Sequence, residues 1–214
     1  MKVKICGFTN TEDVKLACDL GVDMVGVILV PGARRYLGFN KAKQVFDAVT
    51  DNVSKVAVVM PKGLDELARL EDQLKPDYIQ MHLTLSPTEL RKAREHLAAG
   101  LIVVAPIPPK AFDRRIIIED AIRAADVGDI LLIDTKGPYG GGTGLSHDWT
   151  LSREIRDSVD KPVFLAGGLN PSNVGEAIRI VRPDGVDVSS GVERINGVKD
   201  PKLMREFIKA ARGK

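Results

Sequence analysis

Eight short, β-branched apolar runs alternate with amphipathic segments from one end of this chain to the other, and no other feature constrains its fold as much. The runs are Val3–Cys6, Met24–Val30, Lys55–Met60, Tyr78–Met81, Leu101–Ala105, Ile130–Asp134, Pro162–Ala166 and Val186–Ser189. Most are continuously apolar instead of alternating with polar residues, as strands buried on both faces require. Between them apolar residues recur at helical spacing. Ala42, Val45, Phe46 and Val49 form one such face, and Val174, Ala177, Ile178 and Val181 form another. Asn170 and Pro171 read as the cap and first residue of that second helix. Asp200 and Pro201 open the last helix, whose apolar face is Leu203, Met204, Phe207, Ile208 and Ala211. Asp23, Asp77 and Asp184 each stand just ahead of a strand, in the turn that follows a helix.

Eight strand–helix units within 214 residues close into a barrel or spread into an open, doubly wound sheet. An open sheet calls for a topological switch and usually a glycine fingerprint after its first strand. Here that strand ends Lys4-Ile5-Cys6-Gly7 with no such fingerprint, so the expected fold is α/β: a single-domain (β/α)8 TIM barrel over residues 1–214.

The charge balance, 31 basic against 29 acidic residues, shows no excess that would draw a polyanion, and aromatics make up only 5% of the chain. Nucleic-acid binding is therefore not expected. The longest apolar run, Met24–Val30, is far short of the roughly 20 residues of a membrane span, and no apolar leader follows Met1. The two cysteines, Cys6 and Cys18, have no metal-site spacing; they allow a single disulfide but do not make a secreted disulfide scaffold. A cytoplasmic monomer or homodimer is the expectation.

Barrel enzymes carry their chemistry at the C-terminal ends of the strands. The last two strands run into Ala166-Gly167-Gly168-Leu169 and Ser189-Ser190-Gly191-Val192. Such loops let backbone N–H groups approach an anion, and barrels often hold phosphate between the seventh and eighth loops. Gly140–Gly144, after strand six, reads as a loop that closes over a substrate. Cys6 ends strand one and Asp134 ends strand six. A thiolate can remove a proton from carbon, and a carboxylic acid with a raised pKa can donate one. Taken singly, Cys6 also fits a buried filler and Asp134 a turn-former. His82, after strand four, is placed for a polar contact with substrate. Of Arg34 and Arg35 after strand two, one is placed to clamp a carboxylate through two hydrogen bonds. Cys18 reads as a core thiol, His96 as a solvated residue, and His147 as a local hydrogen-bonder.

Together these segments resemble the phosphoribosylanthranilate isomerase family along essentially the whole chain. The resemblance rests on Lys4-Ile5-Cys6-Gly7, Arg35-Tyr36, Gln80-Met81-His82, Leu132-Ile133-Asp134-Thr135, Gly141-Gly142-Thr143-Gly144 with Asp148-Trp149, Ala166-Gly167-Gly168-Leu169-Asn170-Pro171, and Gly185-Val186-Asp187-Val188-Ser189-Ser190-Gly191-Val192-Glu193. It implies an Amadori rearrangement of a small phosphorylated aminoaldose in tryptophan biosynthesis, without metal or organic cofactor. It further implies Asp134 as general acid, Cys6 as general base, Arg35 on the anthranilate carboxylate and His82 as a further substrate contact. Gly142, Gly144, Gly167, Gly168, Ser189, Ser190 and Gly191 are the implied phosphate-binding positions. The chain departs from the commonest family pattern at Val27–Val30, Ala33, Leu83 and Leu145–His147, around the expected aromatic end of the substrate. An aldolase would want a lysine at a strand end, and a metal-dependent epimerase two histidines with two acids. A non-catalytic phosphate binder would have no use for both Cys6 and Asp134.

Overall fold

A computed structural model describes residues 1–82, 85–109, 113–137, 147–195 and 197–213. The eight parallel strands are β1 (Lys2–Cys6), β2 (Met24–Ile28), β3 (Ser54–Val59), β4 (Tyr78–Met81), β5 (Gly100–Ile107), β6 (Ile130–Thr135), β7 (Val163–Leu165) and β8 (Gly185–Val188). They pair in chain order, and β1 pairs with β8 to close the barrel. The helices between them are α1 (Thr11–Asp19), α2 (Phe39–Asp47), α3 (Leu64–Leu74), α4 (Pro87–His96), α5 (Arg114–Ala125), α6 (Trp149–Asp157) and α7 (Val174–Val181). A short hairpin, β9 (Glu193–Ile195) and β10 (Val198–Lys199), precedes the last helix, α8 (Pro201–Ala211). No helix among the described residues is long and apolar enough to cross a membrane.

Two shells of core follow from the period of the strands. Ile5, Val25, Val103 and Leu131 point outward onto helix residues such as Leu70, Ile155 and Phe207. Met24, Val56, Ile102, Val104, Leu132 and Phe164 fill the barrel interior. The same interior takes Lys4 and Asp187, both buried. Cys18 lies in the outer shell, and both cysteines are free.

The helix starts follow local chemistry. Ser86 and Glu89 form a capping box on α4, and Asp200 caps α8 ahead of Pro201. The helix expected to open at Asn170 and Pro171 instead begins at Val174. Asn170 spends its side chain on the Ser172 N–H and hydroxyl, at 2.9 and 2.6 Å, closing a turn that the helix then follows.

At the N-terminal end of the barrel one device recurs four times. Asp23, Asp77, Asp129 and Asp184 precede β2, β4, β6 and β8, and each accepts a bond from the preceding strand. The donors are the N–H groups of Val3, Lys55, Leu101 and Val163, at 2.8, 2.7, 2.8 and 2.9 Å. Each aspartate N–H bonds back to the carbonyl of the same partner residue. The carboxylate thus satisfies a donor at the start of a strand and locks each odd–even strand pair in register.

Candidate active site

At the opposite end of the barrel, polar side chains converge. Lys4 and Cys6 are two residues apart on β1 and share its inward face, while Val3 and Ile5 belong to the outer shell. Asp187 stands opposite Lys4 across the β1–β8 seam, and the Lys4 ammonium donates to its Oδ2 at 2.9 Å. Asp134 faces inward from the end of β6. Burial pushes its carboxyl up to about 7, helped by the like charge of Asp187 and opposed by the Thr135 N–H bond at 2.8 Å and by Lys4. An acid in that range keeps its proton in about half of the molecules at neutrality. Burial also pushes the Cys6 thiol up. Lys4 and Lys199 pull it back, while Asp187 works against them. His82, just past β4, is lowered to about 4 by burial and by Lys4, which leaves a neutral imidazole at neutral pH.

Arg35 is buried while Arg34 is exposed. Its Nε and Nη2 donate to Glu193 Oε1 and Oε2 at 2.6 and 2.7 Å. The two-point face expected to take a ligand carboxylate is therefore held by a protein carboxylate. Glu193 in turn accepts from Lys199 Nζ at 2.9 Å, and the same ammonium reaches the carbonyls of Cys6 at 2.6 Å and Ser189 at 3.0 Å. The β9–β10 hairpin thus braces the end of β1.

The seventh and eighth loops meet backbone to backbone. Gly167 and Gly168 have φ of 86° and 65°, a region that only glycine enters cheaply. A Cβ on Gly191 would overlap the Leu169 carbonyl oxygen. Ser190 opens a single 3₁₀ turn, Ser190–Val192, and the Ser189 hydroxyl is committed to the Cys6 carbonyl at 3.0 Å. Any contribution of Ser189 to anion binding would then come from its N–H. Gly142 and Gly144 lie outside the described residues.

Three features were not singled out as parts of the site from sequence. The Lys4–Asp187 pair had a signal: a charged residue within each of two otherwise apolar strands. Lys199 and Glu193 had none, because the residues that give them their place, Cys6 and Arg35, are 193 and 158 residues away in the chain. The third is a buried chain in which Thr135 Oγ1 meets His147 Nδ1 at 2.8 Å and His147 Nε2 meets Ser152 Oγ at 2.6 Å. Burial lowers His147 to about 4, so this bridge from β6 to α6 is built on a neutral ring. His147 is the local hydrogen-bonder expected, and the chain ties α6 to the residue next to Asp134.

A closed eight-stranded barrel with a buried acid and a buried thiol at the mouth that carries its glycine loops defines a (β/α)8-barrel enzyme. A family model described as N-(5'-phosphoribosyl)anthranilate isomerase matches residues 3–210. A relative of that name from Methanothrix thermoacetophila is 38% identical, over 99% of this chain and 98% of its own. The crystal structure of phosphoribosyl anthranilate isomerase from Thermotoga maritima superposes with a TM-score of 0.89 at 33% identity, covering 100% of both chains. A further structure of such an isomerase, in complex with reduced 1-(o-carboxyphenylamino)-1-deoxyribulose 5-phosphate, gives a TM-score of 0.85 at 30% identity, again covering 100% of both chains. The chain belongs to the N-(5'-phosphoribosyl)anthranilate isomerase family, isomerases of tryptophan biosynthesis.

Proposed function

We propose that this chain converts N-(5-phosphoribosyl)anthranilate to 1-(2-carboxyphenylamino)-1-deoxyribulose 5-phosphate by general acid–base catalysis. The observation that carries the reading is a carboxyl held near 7 at the end of β6 and a buried thiol at the end of β1, in one mouth. Asp134 gives its proton to the ribose ring oxygen as the C1–O bond breaks and the anthranilate nitrogen lone pair forms the iminium ion. Cys6, in the thiolate form that Lys4 and Lys199 favour against burial, then takes the C2 proton, and the C–H electron pair moves toward the iminium to give an enolamine. Loss of the enol proton and protonation of C1 complete an isomerisation that is neutral in atoms and charge.

The remaining residues hold the substrate. Backbone N–H groups of Gly167, Gly168, Ser189, Ser190 and Gly191 bind the phosphate, with Gly142 and Gly144, outside the described residues, as further phosphate-binding positions. Arg35 meets the anthranilate carboxylate through Nη1, its other edge being fixed by Glu193, and His82 contributes a neutral imidazole. Neither metal nor organic cofactor takes part in this scheme.

The test generates phosphoribosylanthranilate in situ and follows loss of its fluorescence. Wild type is expected to turn over rapidly, and folded Cys6→Ala and Asp134→Asn to lose about 10²–10⁴-fold or more. A pure, folded wild type without turnover would exclude this substrate. Near-normal turnover in either variant would keep the enzyme and remove that residue's role.

A further inference from the structure

The interior of a barrel is ordinarily apolar, and a buried ion pair contributes little net stability compared with apolar side chains of the same volume. Yet Lys4 is fully buried and Asp187 nearly so, and they meet at 2.9 Å. Asp187 leaves its second oxygen, Oδ1, buried without a hydrogen-bond partner among the described residues. A buried carboxylate oxygen left without a protein partner is costly, so stability does not account for the arrangement. Its placement does. Lys4 shares the inward face of β1 with Cys6, two residues along, and its charge favours the thiolate, while Asp187 acts on Asp134 through its charge.

We propose that Lys4 and Asp187 are positioning residues that divide the labour of the acid–base pair: the ammonium is the counter-ion of the Cys6 thiolate, and the carboxylate keeps the proton on Asp134. The inference rests on the isomerase reading and deepens it. Four charged groups act on or respond to Cys6: Lys4 from β1, Asp187 from β8, Lys199 from β10 and Arg35 from the loop after β2. Arg35 and Lys199 share the single negative charge of Glu193, and the hydrogen bonds of Lys199 go to Glu193, Ser189 and the Cys6 carbonyl. Lys4 is the cation that shares the inward face of β1 with the Cys6 side chain. Asp134 is acted on by Asp187 and, with opposite sign, by Lys4. One ion pair therefore sets a cation beside the base on β1 and a like charge against the acid, in a medium where such fields are weakly screened.

The experiment titrates the Cys6 thiolate in the full-length chain by its ultraviolet absorbance, each variant referenced to the same variant carrying Cys6→Ser. Lys4→Met is expected to lower the thiolate fraction about tenfold or more at a fixed pH on the rising limb, and Lys4→Arg to restore it. Asp187→Asn is expected to raise the fraction, and to move the Asp134 carboxyl titration, read by carbon NMR, below its wild-type position. Opposite displacements from the two partners of one ion pair cannot come from lost packing, which would disturb both variants alike. Should Lys4→Met fail to fold, Asp187→Asn still decides the sign. Superimposed titrations, or a thiolate fraction that falls in Asp187→Asn, would overturn the proposal. The titration needs no turnover, so an inactive wild type with these displacements would refute the isomerase reading and leave the charge division standing.

Discussion

Asp184→Ala isolates what one of the four basal aspartates does. The Asp184 carboxylate accepts the Val163 N–H at 2.9 Å, and Val163 is fully buried at the start of β7. Truncation leaves that donor inside the barrel wall with neither protein nor bulk water to accept it, at a cost of about 1–2 kcal/mol. For a domain of this size each kcal/mol lowers Tm by about 2–4 °C, so a fall of about 2–8 °C is expected. Asp184→Asn retains an acceptor oxygen and should lose less. The exposed Asp160, just ahead of β7, is the control, and Asp160→Ala should stay within about 0.5 kcal/mol of wild type. Urea unfolding by circular dichroism gives the free energies, with isomerase turnover measured alongside. The site lies at the other end of the strands, so kcat/KM below the melting range should not change. An Asp184→Ala stability equal to that of the Asp160 control would refute the clamp, and a large loss of kcat/KM in a folded variant would refute the separation of the two faces.

Asp134→Asn should stabilise the free protein at pH 8. The folded carboxyl sits at about 7 against an ordinary 3.8, so wild-type stability falls as pH rises from 3.8 to about 7. A side chain that cannot ionise escapes that loss, and equal stabilities of variant and wild type at pH 8 in urea would refute the shift. The wild-type kcat/KM profile should bend near pH 7, where Asp134 titrates, and Asp134→Asn should lack that bend. His147→Phe strands the Thr135 and Ser152 hydroxyls and is expected to cost about 1–3 kcal/mol. Because folding lowers His147 from 6.5 to about 4, wild type loses stability as pH falls through that window, and the variant should lose less; identical acid unfolding curves would contradict this. Gly191→Ala would drive a Cβ into the Leu169 carbonyl and should part the seventh and eighth loops. A KM increase of about tenfold or more is expected in steady-state kinetics, and an unchanged KM would argue against phosphate at this seam.

The barrel was legible because its determinants are local. Strands buried on both faces must be apolar without alternation, and helices packed on one side must show a 3.6-residue period. Cys6, Asp134 and the Gly167 and Gly191 loops stand out for the same reason: each sits at the C-terminal end of a recognisable strand. Even three of the basal aspartates, Asp23, Asp77 and Asp184, were visible as residues ahead of strands, though their bonds to Val3, Lys55 and Val163 were not. Position alone does not say what a side chain meets. Lys4 and Asp187 are 183 residues apart, and Arg35 and Glu193 are 158 apart. Only closure of β1 against β8 brings the first pair into register, and only the β9–β10 hairpin brings Glu193 and Lys199 onto Arg35 and the Cys6 carbonyl. Periodicity in the chain thus determined the strands, the helices and the mouth where polar residues gather. Tertiary structure decided which charges face which, because electrostatic coupling depends on distance and burial, and both arise only when the barrel closes.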